Sequence, residues 1–347
     1  MAIKNLILST LAASVLSSPL TVDAADPAPV KAKSGADDVV VDERTEQMIK
    51  GGLKFLASSQ KPNGSWAEGD NNHAAAITAY VLLAFMSTGH LPGEGEHGAV
   101  VKRGSDFLLN CVRPDGYIAA AAGSHNMYGH GIATLALGEL YGMTRDENVR
   151  PRLERAIRLI IGSQSKEGGW RYNPKPGDAD VSVSVLQVVA LRVAKNSGID
   201  VPQETIDRAI GYIRACHHDS GGFTYQAKGG QPGASRTAAA VYALQVCGLY
   251  DDKMVKSGVD YYVRNYSRDR QHFTYGVNYA GPVHYMLGGD EWRKFYADIK
   301  ERIIKDVKSR GDVFYWTSQG GGGDSYGTAI NVGVLAMPYG YLPLYQR

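Results

Sequence analysis

Two aspartates one residue apart, Asp178 and Asp180, stand just before an almost uncharged apolar run, Val181 to Val193. A carboxyl at such a place has two uses. Ionised, it caps a helix by accepting the free N–H groups of the first turn. Held dry and protonated beside a substrate, it is a Brønsted acid. Other polar residues stand at comparable places: Asn72-His73, His125 with Tyr128 and His130, Ser235-Arg236, His284, and Asp324-Ser325-Tyr326. Asp178 and Asp180 are therefore the candidate catalytic residues. His73, His125, Tyr128, His130, Arg236, His284, Asp324 and Tyr326 are the candidate ligand contacts, with a hydrogen-bonded structural role as the competing expectation for each histidine. His217 and His218 are adjacent, a poor arrangement for chelation from one helix face. No metal site and no cofactor is expected, and neither a Gly-x-Ser-x-Gly elbow nor a phosphate loop occurs.

The chain that must position these groups has 347 residues, 44% of them hydrophobic and 21% charged, enough for a large core. Lys and Arg number 37 against 35 Asp and Glu, so no long-range field points to nucleic acid or an anionic membrane. Three cysteines, Cys111, Cys216 and Cys247, exclude a dense disulfide framework. The first 24 residues have the three parts of an export signal. Lys4 lies in a short basic start, an apolar stretch follows from Leu6 to Leu16, and Val22-Asp-Ala24 offers a small-x-small cleavage site. Residues 25–43, rich in Ala, Pro, Lys and Asp, read as a flexible leader. The expected location is periplasmic or secreted, and no transmembrane segment is expected in the mature chain.

Residues 44–347 carry a repeat. A turn followed by an aromatic recurs at Trp66, Tyr117, Trp170, Phe223 and Phe273, spaced 51, 53, 53 and 50 residues apart, with a degenerate sixth copy at Trp316. The run before each turn is amphipathic: Leu153, Ala156, Ile157, Ile160 and Ile161 form one stripe and charges the other face. The run after each turn is small or apolar nearly all round, the pattern of a helix buried on every side. Each unit is thus an outer and an inner helix, and six hairpins side by side close into a double ring around a funnel. Gly168-Gly169 and Gly221-Gly222 permit the left-handed backbone that ends a helix, and the aromatic that follows fills the wedge between hairpins. Cys111 and Cys216, late in their outer helices, read as buried structural thiols. The run Gly320 to Gly323 reads equally as a lid beside the funnel or a close-packed seam.

These turns resemble the repeats of the terpene cyclase and protein prenyltransferase superfamily, over nearly the whole of residues 44–347. Met127-Tyr-Gly-His-Gly-Ile-Ala-Thr-Leu-Ala-Leu137 and Gly168-Gly-Trp-Arg-Tyr172 with Pro176-Gly-Asp-Ala-Asp-Val-Ser182 are similar to its exported bacterial branch of prenyltransferase and squalene oxidase repeat proteins. The resemblance implies an all-α fold, an (α/α)6 toroid of about six helical hairpins. Asp178-Ala-Asp-Val-Ser182 resembles the Asp-x-Asp-Asp-Thr motif of proton-initiated triterpene cyclases, whose middle Asp protonates an alkene; Asp180 takes that place. Val181 stands where the motif has a second adjacent Asp. Protein prenyltransferases place Asp-x-Cys at an inner helix start to bind zinc; Asp180-Val-Ser182 keeps the spacing, but a Ser hydroxyl is a poor zinc ligand. The Gly-Cys-Gly-Glu-Gln thioester of complement toroids is absent.

The sequence thus predicts an exported toroid whose funnel takes a hydrophobic, isoprenoid-like small molecule, with cyclase- or transferase-like activity left open. A non-catalytic binding or scaffold toroid is one alternative. A glycan-active lyase or hydrolase is another, for which Asp180 and Asp324, about half a ring apart, form the carboxylate pair.

Overall fold

The computed structural model describes residues 39–67, 71–121, 126–175, 177–269, 271–318 and 322–345. The signal segment, most of the leader, His125, and Gly320 and Gly321 lie outside the described residues. Twelve α-helices follow one another among those described: α1 (Glu43–Ser59), α2 (Ala74–Ser87), α3 (Gly98–Asn110), α4 (Met127–Thr144), α5 (Arg150–Gly162), α6 (Val181–Asn196), α7 (Gln203–Ala215), α8 (Ala234–Val246), α9 (Lys253–Asn265), α10 (Phe273–Leu287), α11 (Gly289–Lys305) and α12 (Gly323–Leu335). A two-stranded antiparallel hairpin, β1 (Lys308–Arg310) and β2 (Val313–Tyr315), pairs Ser309 with Phe314 and lies on α1. The first helix starts at Glu43, the last residue read as leader, with Asp42 accepting the Thr45 N–H as its cap.

The even-numbered helices form the inner ring. Each packs on the next in the order α2, α4, α6, α8, α10, α12, and α12 returns to α2. The odd-numbered helices lie outside, each on the inner helix before it, with α1 closing on α12. The protein is an α/α toroid. The two helix types of the sequence correspond to these two environments. In α5 the buried residues are the Leu153, Ala156, Ile157 and Ile160 stripe, whereas α2 is buried on all sides.

The hinges lock the ring through one repeated device. Trp66, Tyr117, Trp170, Phe223 and Trp316 are all buried. The backbone N–H of each, or of the residue after it, donates into the following inner helix. Trp66 donates to Thr78 Oγ1 (3.1 Å), Ile118 to His130 Nδ1 (3.2 Å), Trp170 to Ser184 Oγ (2.8 Å), Phe223 to Thr237 Oγ1 (2.9 Å) and Trp316 to Thr328 Oγ1 (3.0 Å). The tryptophan Nε1–H groups cap the last turn of the outer helix, Trp66 on the Leu56 carbonyl, Trp170 on Ile160 and Trp316 on Ile303. Neighbouring repeats are also tied together. Gln164 Nε2 donates to the carbonyls of Gly168 (2.8 Å) and Thr205 (2.9 Å), the latter in the next outer helix, and Gln60 does the same to Gly64 and Val100. The turn glycines sit at this seam: Gly116 has φ +90°, and a Cβ there would lie 2.3 Å from the Arg155 carbonyl oxygen. The fifth hinge departs from the pattern. Phe273 is the first residue of α10 and only half-buried; Asp269 there accepts from Ser235 Oγ at 2.6 Å and meets His272 Nδ1 at 2.8 Å.

Candidate functional site at the mouth of the ring

The inner helices run in one direction, so their starts, with unpaired N–H groups and positive dipole ends, share one end of the ring. Below that rim the centre is filled by phenols. Tyr80 comes from α2, Tyr128 from α4, Tyr275 and Tyr279 from α10, and Tyr326 from α12. Tyr80 and Tyr326 meet edge to face at 4.9 Å between ring centroids, as do Tyr275 and Tyr279 at 4.9 Å; Tyr128 lies 6.3 Å from Tyr275. Burial pushes all five hydroxyls above the ordinary phenol range, so they stay protonated. They lie close enough to perturb one another's ionisation. The hydroxyls of Tyr80, Tyr275 and Tyr279 stand within reach of one another, of Tyr128 and, for Tyr275, of Ser182, yet none of these contacts has the length and angle of a good hydrogen bond.

Asp180 adjoins this cluster. Its side chain is fully buried. Oδ1 accepts the Val183 N–H at 2.9 Å, the cap that the sequence offered as one of its two uses. Oδ2 has no hydrogen bond; Arg171 Nε stands 3.5 Å away. Burial pushes the carboxyl up, and the Val183 N–H, the Arg171 charge, the Tyr225 hydroxyl and the Ser182 N–H pull against it. Arg171 also holds the half-exposed Asp178 (Nη1 to Oδ2, 2.5 Å), which Gln226 Nε2 meets from the other side at 3.2 Å. The guanidinium carbon lies 5.5 Å from the Tyr172 ring and 5.7 Å from the Tyr225 ring, and these two hydroxyls share a hydrogen bond of 2.7 Å. Tyr275 links the two groups. Its hydroxyl is influenced by Ser182, two residues after Asp180, and by the Asp180 charge itself. The arrangement is a desolvated carboxyl with one oxygen capping α6 and the other facing the Arg171 cation, beside a wall of protonated phenols.

The other sequence candidates divide. Tyr128 and Tyr326 belong to the phenol cluster. His73 is exposed at the rim and, with Asn72, Tyr128 and Asn126, lines a water-sized cavity of about 50 Å³. Arg236, half-buried, lies over the Tyr225 ring at 5.9 Å and donates to the Gln231 carbonyl at 3.4 Å. Asp324 accepts from Thr317 Oγ1 at 2.5 Å on α12, across the ring from Asp180. Two expectations need correction. His130 faces the hairpin wedge, not the funnel: it stacks on Tyr117 at 5.3 Å and takes the place of the Thr or Ser lock, and burial holds its pKa down at about 4. His284 does not precede an inner helix. It lies in the last turn of α10, stacked on Phe295 at 4.1 Å, with burial holding its pKa at about 4 and neither nitrogen hydrogen-bonded.

Sequence reasoning missed Tyr80, Tyr275, Tyr279, Arg171 and Tyr225. The i, i+4 spacing of Tyr275 and Tyr279 was the readable sign of a shared face. It also missed Glu139, buried in α4 and pushed up to about 8 by desolvation, with the Leu344 backbone as its hydrogen-bond partner. Leu342, Leu344 and Tyr345 close that end of the ring over Leu83, Leu135, Leu186 and Tyr242, leaving about 30 Å³ of water-accessible space. Cys111 and Cys216 are buried and free, as is the partly buried Cys247. Among the described residues no three His, Cys, Asp or Glu gather as a metal site, and no helix is long and apolar enough to cross a membrane.

Six helical hairpins in a ring, inner helices within outer ones, define the α/α-toroid class. Within it, this chain belongs to the family described as a domain of unknown function, DUF6288, which matches residues 45–283. A curated relative, lanosterol synthase from Pneumocystis carinii, is 27% identical over 139 residues, 37% of this chain. The chain spans only 18% of that enzyme's length. Among solved structures, a substrate-bound variant of the type II terpene cyclase MstE from Scytonema superposes with a TM-score of 0.56 at 14% identity, covering 86% of this chain and 99% of that one. A glycoside hydrolase family 76 mannosidase from Bacteroides thetaiotaomicron gives 0.63 at 12% (86% and 98%), and cellobiose 2-epimerase from Spirochaeta thermophila 0.62 at 15% (86% and 95%). At such identities the likeness is one of fold.

Proposed function

We propose that this chain is an exported toroid whose funnel holds a hydrophobic, isoprenoid-type ligand and whose Asp180 acts on it as an acid. The observation that carries the reading is the Asp180 carboxyl: fully buried, capping α6 through Oδ1 while Oδ2 faces Arg171, and raised in pKa by that burial beside the phenol cluster. Its Oδ2–H would pass its proton to an alkene carbon. A C–H bond forms as the π bond and the Oδ2–H bond break, the positive charge passes to the ligand until a carbon of that ligand loses a proton to water, and the carboxylate left behind is held by Arg171 and the Val183 N–H. Ring faces of Tyr275 and Tyr128 suit a developing cation. The lanosterol synthase match supports the chemistry, and the geranylgeranyl dihydroxybenzoate named as the substrate of MstE supports the ligand class. Export rests on the signal pattern of residues 1–24.

The test is Asp180→Asn, since Asn also caps a helix and the fold should stand. Purified protein and variant are incubated with geranylgeraniol and squalene, and products are followed by mass spectrometry. Conversion by the parent and none by the variant supports the acid role; equal conversion ends it. The glycan reading draws on the mannosidase neighbour and on Asp324 opposite Asp180. It takes precedence if native mass spectrometry of protein from its own host retains an oligosaccharide. A retained lipid with no conversion by either protein leaves the binding toroid.

A further inference from the structure

Resting on the isoprenoid-type reading above, the geometry points to a ligand that carries neutral acceptor oxygens, set on the ring axis against the hydroxyls of Tyr80, Tyr275 and Tyr279. These three phenols, each with a buried hydroxyl, have a proton to donate and only poorly aligned contacts with one another, Tyr128 and Ser182 to receive it. A pure hydrocarbon seated there would leave them those poor contacts alone, and a badly paired buried donor lowers affinity about 5- to 100-fold. A carbonyl, ether or hydroxyl oxygen satisfies them.

The charge of that head group follows from what surrounds it. Neither Lys nor Arg belongs to the phenol cluster, and Arg171 is engaged with Asp178 and Asp180, so an anion would be buried without a counter-charge. A cationic head group offers these hydroxyl protons no acceptor; positive charge is favoured only over the ring faces, away from the hydroxyls. A neutral acceptor meets neither objection.

Tyr275 is the third residue of α10, and Tyr279 and Tyr80 are the seventh of their helices. The phenols thus form a collar about 3 to 9 Å below the rim, and the oxygens of the head group belong at that collar.

A matched pair of probes tests this: a 1,4-benzoquinone bearing a decyl chain, and decylbenzene, titrated calorimetrically in detergent micelles. The quinone should bind at least about 10-fold more tightly. Tyr80→Phe/Tyr279→Phe keeps both rings and should cost the quinone about 10-fold while changing decylbenzene less than about 2-fold. Equal binding of the two probes, or a double variant that binds the quinone undiminished, overturns the inference and leaves the hydrophobic funnel standing. Displacement of the quinone by tetramethylammonium or mannotriose overturns it as well. If neither probe binds, this inference and the ligand reading beneath it both fall.

Discussion

Arg171 Nε stands 3.5 Å from Oδ2 of Asp180, the carboxyl oxygen that does not cap α6. The guanidinium lowers the Asp180 pKa while burial raises it, so the proton-donating range of the acid depends on a residue outside the inner ring. Arg171→Met should raise that carboxyl further and move the alkaline limb of the conversion rate upward by about one pH unit. The sign is fixed: removing a cation favours the protonated acid. A pH–rate profile checks it, and a limb that stays in place or moves down would show that Asp180 is not the titrating acid. Asp178 loses its partner too, but it is about half exposed and little stability should follow.

Ser184 is buried and accepts the Trp170 N–H at 2.8 Å, pointing away from the funnel. Ser184→Ala leaves that N–H buried and unpaired and should lower unfolding free energy by about 1–3 kcal/mol. Ligand affinity should hold, which distinguishes this lock from the phenol collar. Urea unfolding beside a binding isotherm reads both.

Gly116 combines a φ of +90° with a backbone carbonyl 2.3 Å from where a Cβ would be. Neither the turn nor the facing helix α5 can yield alone. Gly116→Ala should destabilise the protein by at least about 2 kcal/mol. Gly162, where a Cβ meets nothing within 4 Å, serves as the control. Gly162→Ala should be neutral or mildly stabilising in the same thermal melt.

The ring was legible because its two helix types answer to two environments. Charges on one face of α5 fix how it must lie, and the hinge aromatics recur at the spacing that one hairpin requires. The site was legible only where it coincides with helix starts. Asp180, Tyr128 and Tyr326 could be found there because capping chemistry marks those positions. Tyr80, Tyr275 and Tyr279 could not, because an inner helix buried all round has no polar face from which its rotation about its axis can be read. The same loss of phase made His130 look like a funnel residue when it points into the wedge. His284 was misplaced for another reason. The fifth hinge lacks the Gly pair, so nothing in the sequence marks the start of α10 at Phe273.

His284 is buried in the last turn of α10, 6° from parallel with the Phe295 ring, and burial holds its pKa at about 4. The unfolded chain binds a proton near the ordinary histidine value of about 6.5. Stability is therefore fully present above that value and falls as pH drops toward 4. At pH 5 this amounts to about 2 kcal/mol. His284→Phe should remove this part of the acid sensitivity and raise Tm at pH 5. A variant that melts lower at pH 5 than the parent would show that the imidazole has a polar partner after all.

Glu139 acts on the opposite limb. Its carboxyl is pushed up to about 8 by burial in α4, eased only by the Leu344 backbone. The unfolded chain releases the proton near 4.5, so between there and about 8 the unfolded state is ionised while the folded state still holds its proton. The sign is the reverse of the histidine case: stability is greatest below the unfolded value and declines as pH rises toward 8. At pH 7 the decline amounts to on the order of 3 kcal/mol. Glu139→Gln keeps a polar group of the same shape for Leu344 and cannot ionise. The variant should match the parent near pH 4.5, exceed it in Tm by several degrees at pH 8, and lose the downward slope between. Because Leu342, Leu344 and Tyr345 close the ring over this residue, the parent should also expose that C-terminal segment to protease first as pH passes 8, and the variant should not. Parallel pH dependence of Tm in the two proteins would show that Glu139 ionises normally and that the closure depends on packing alone.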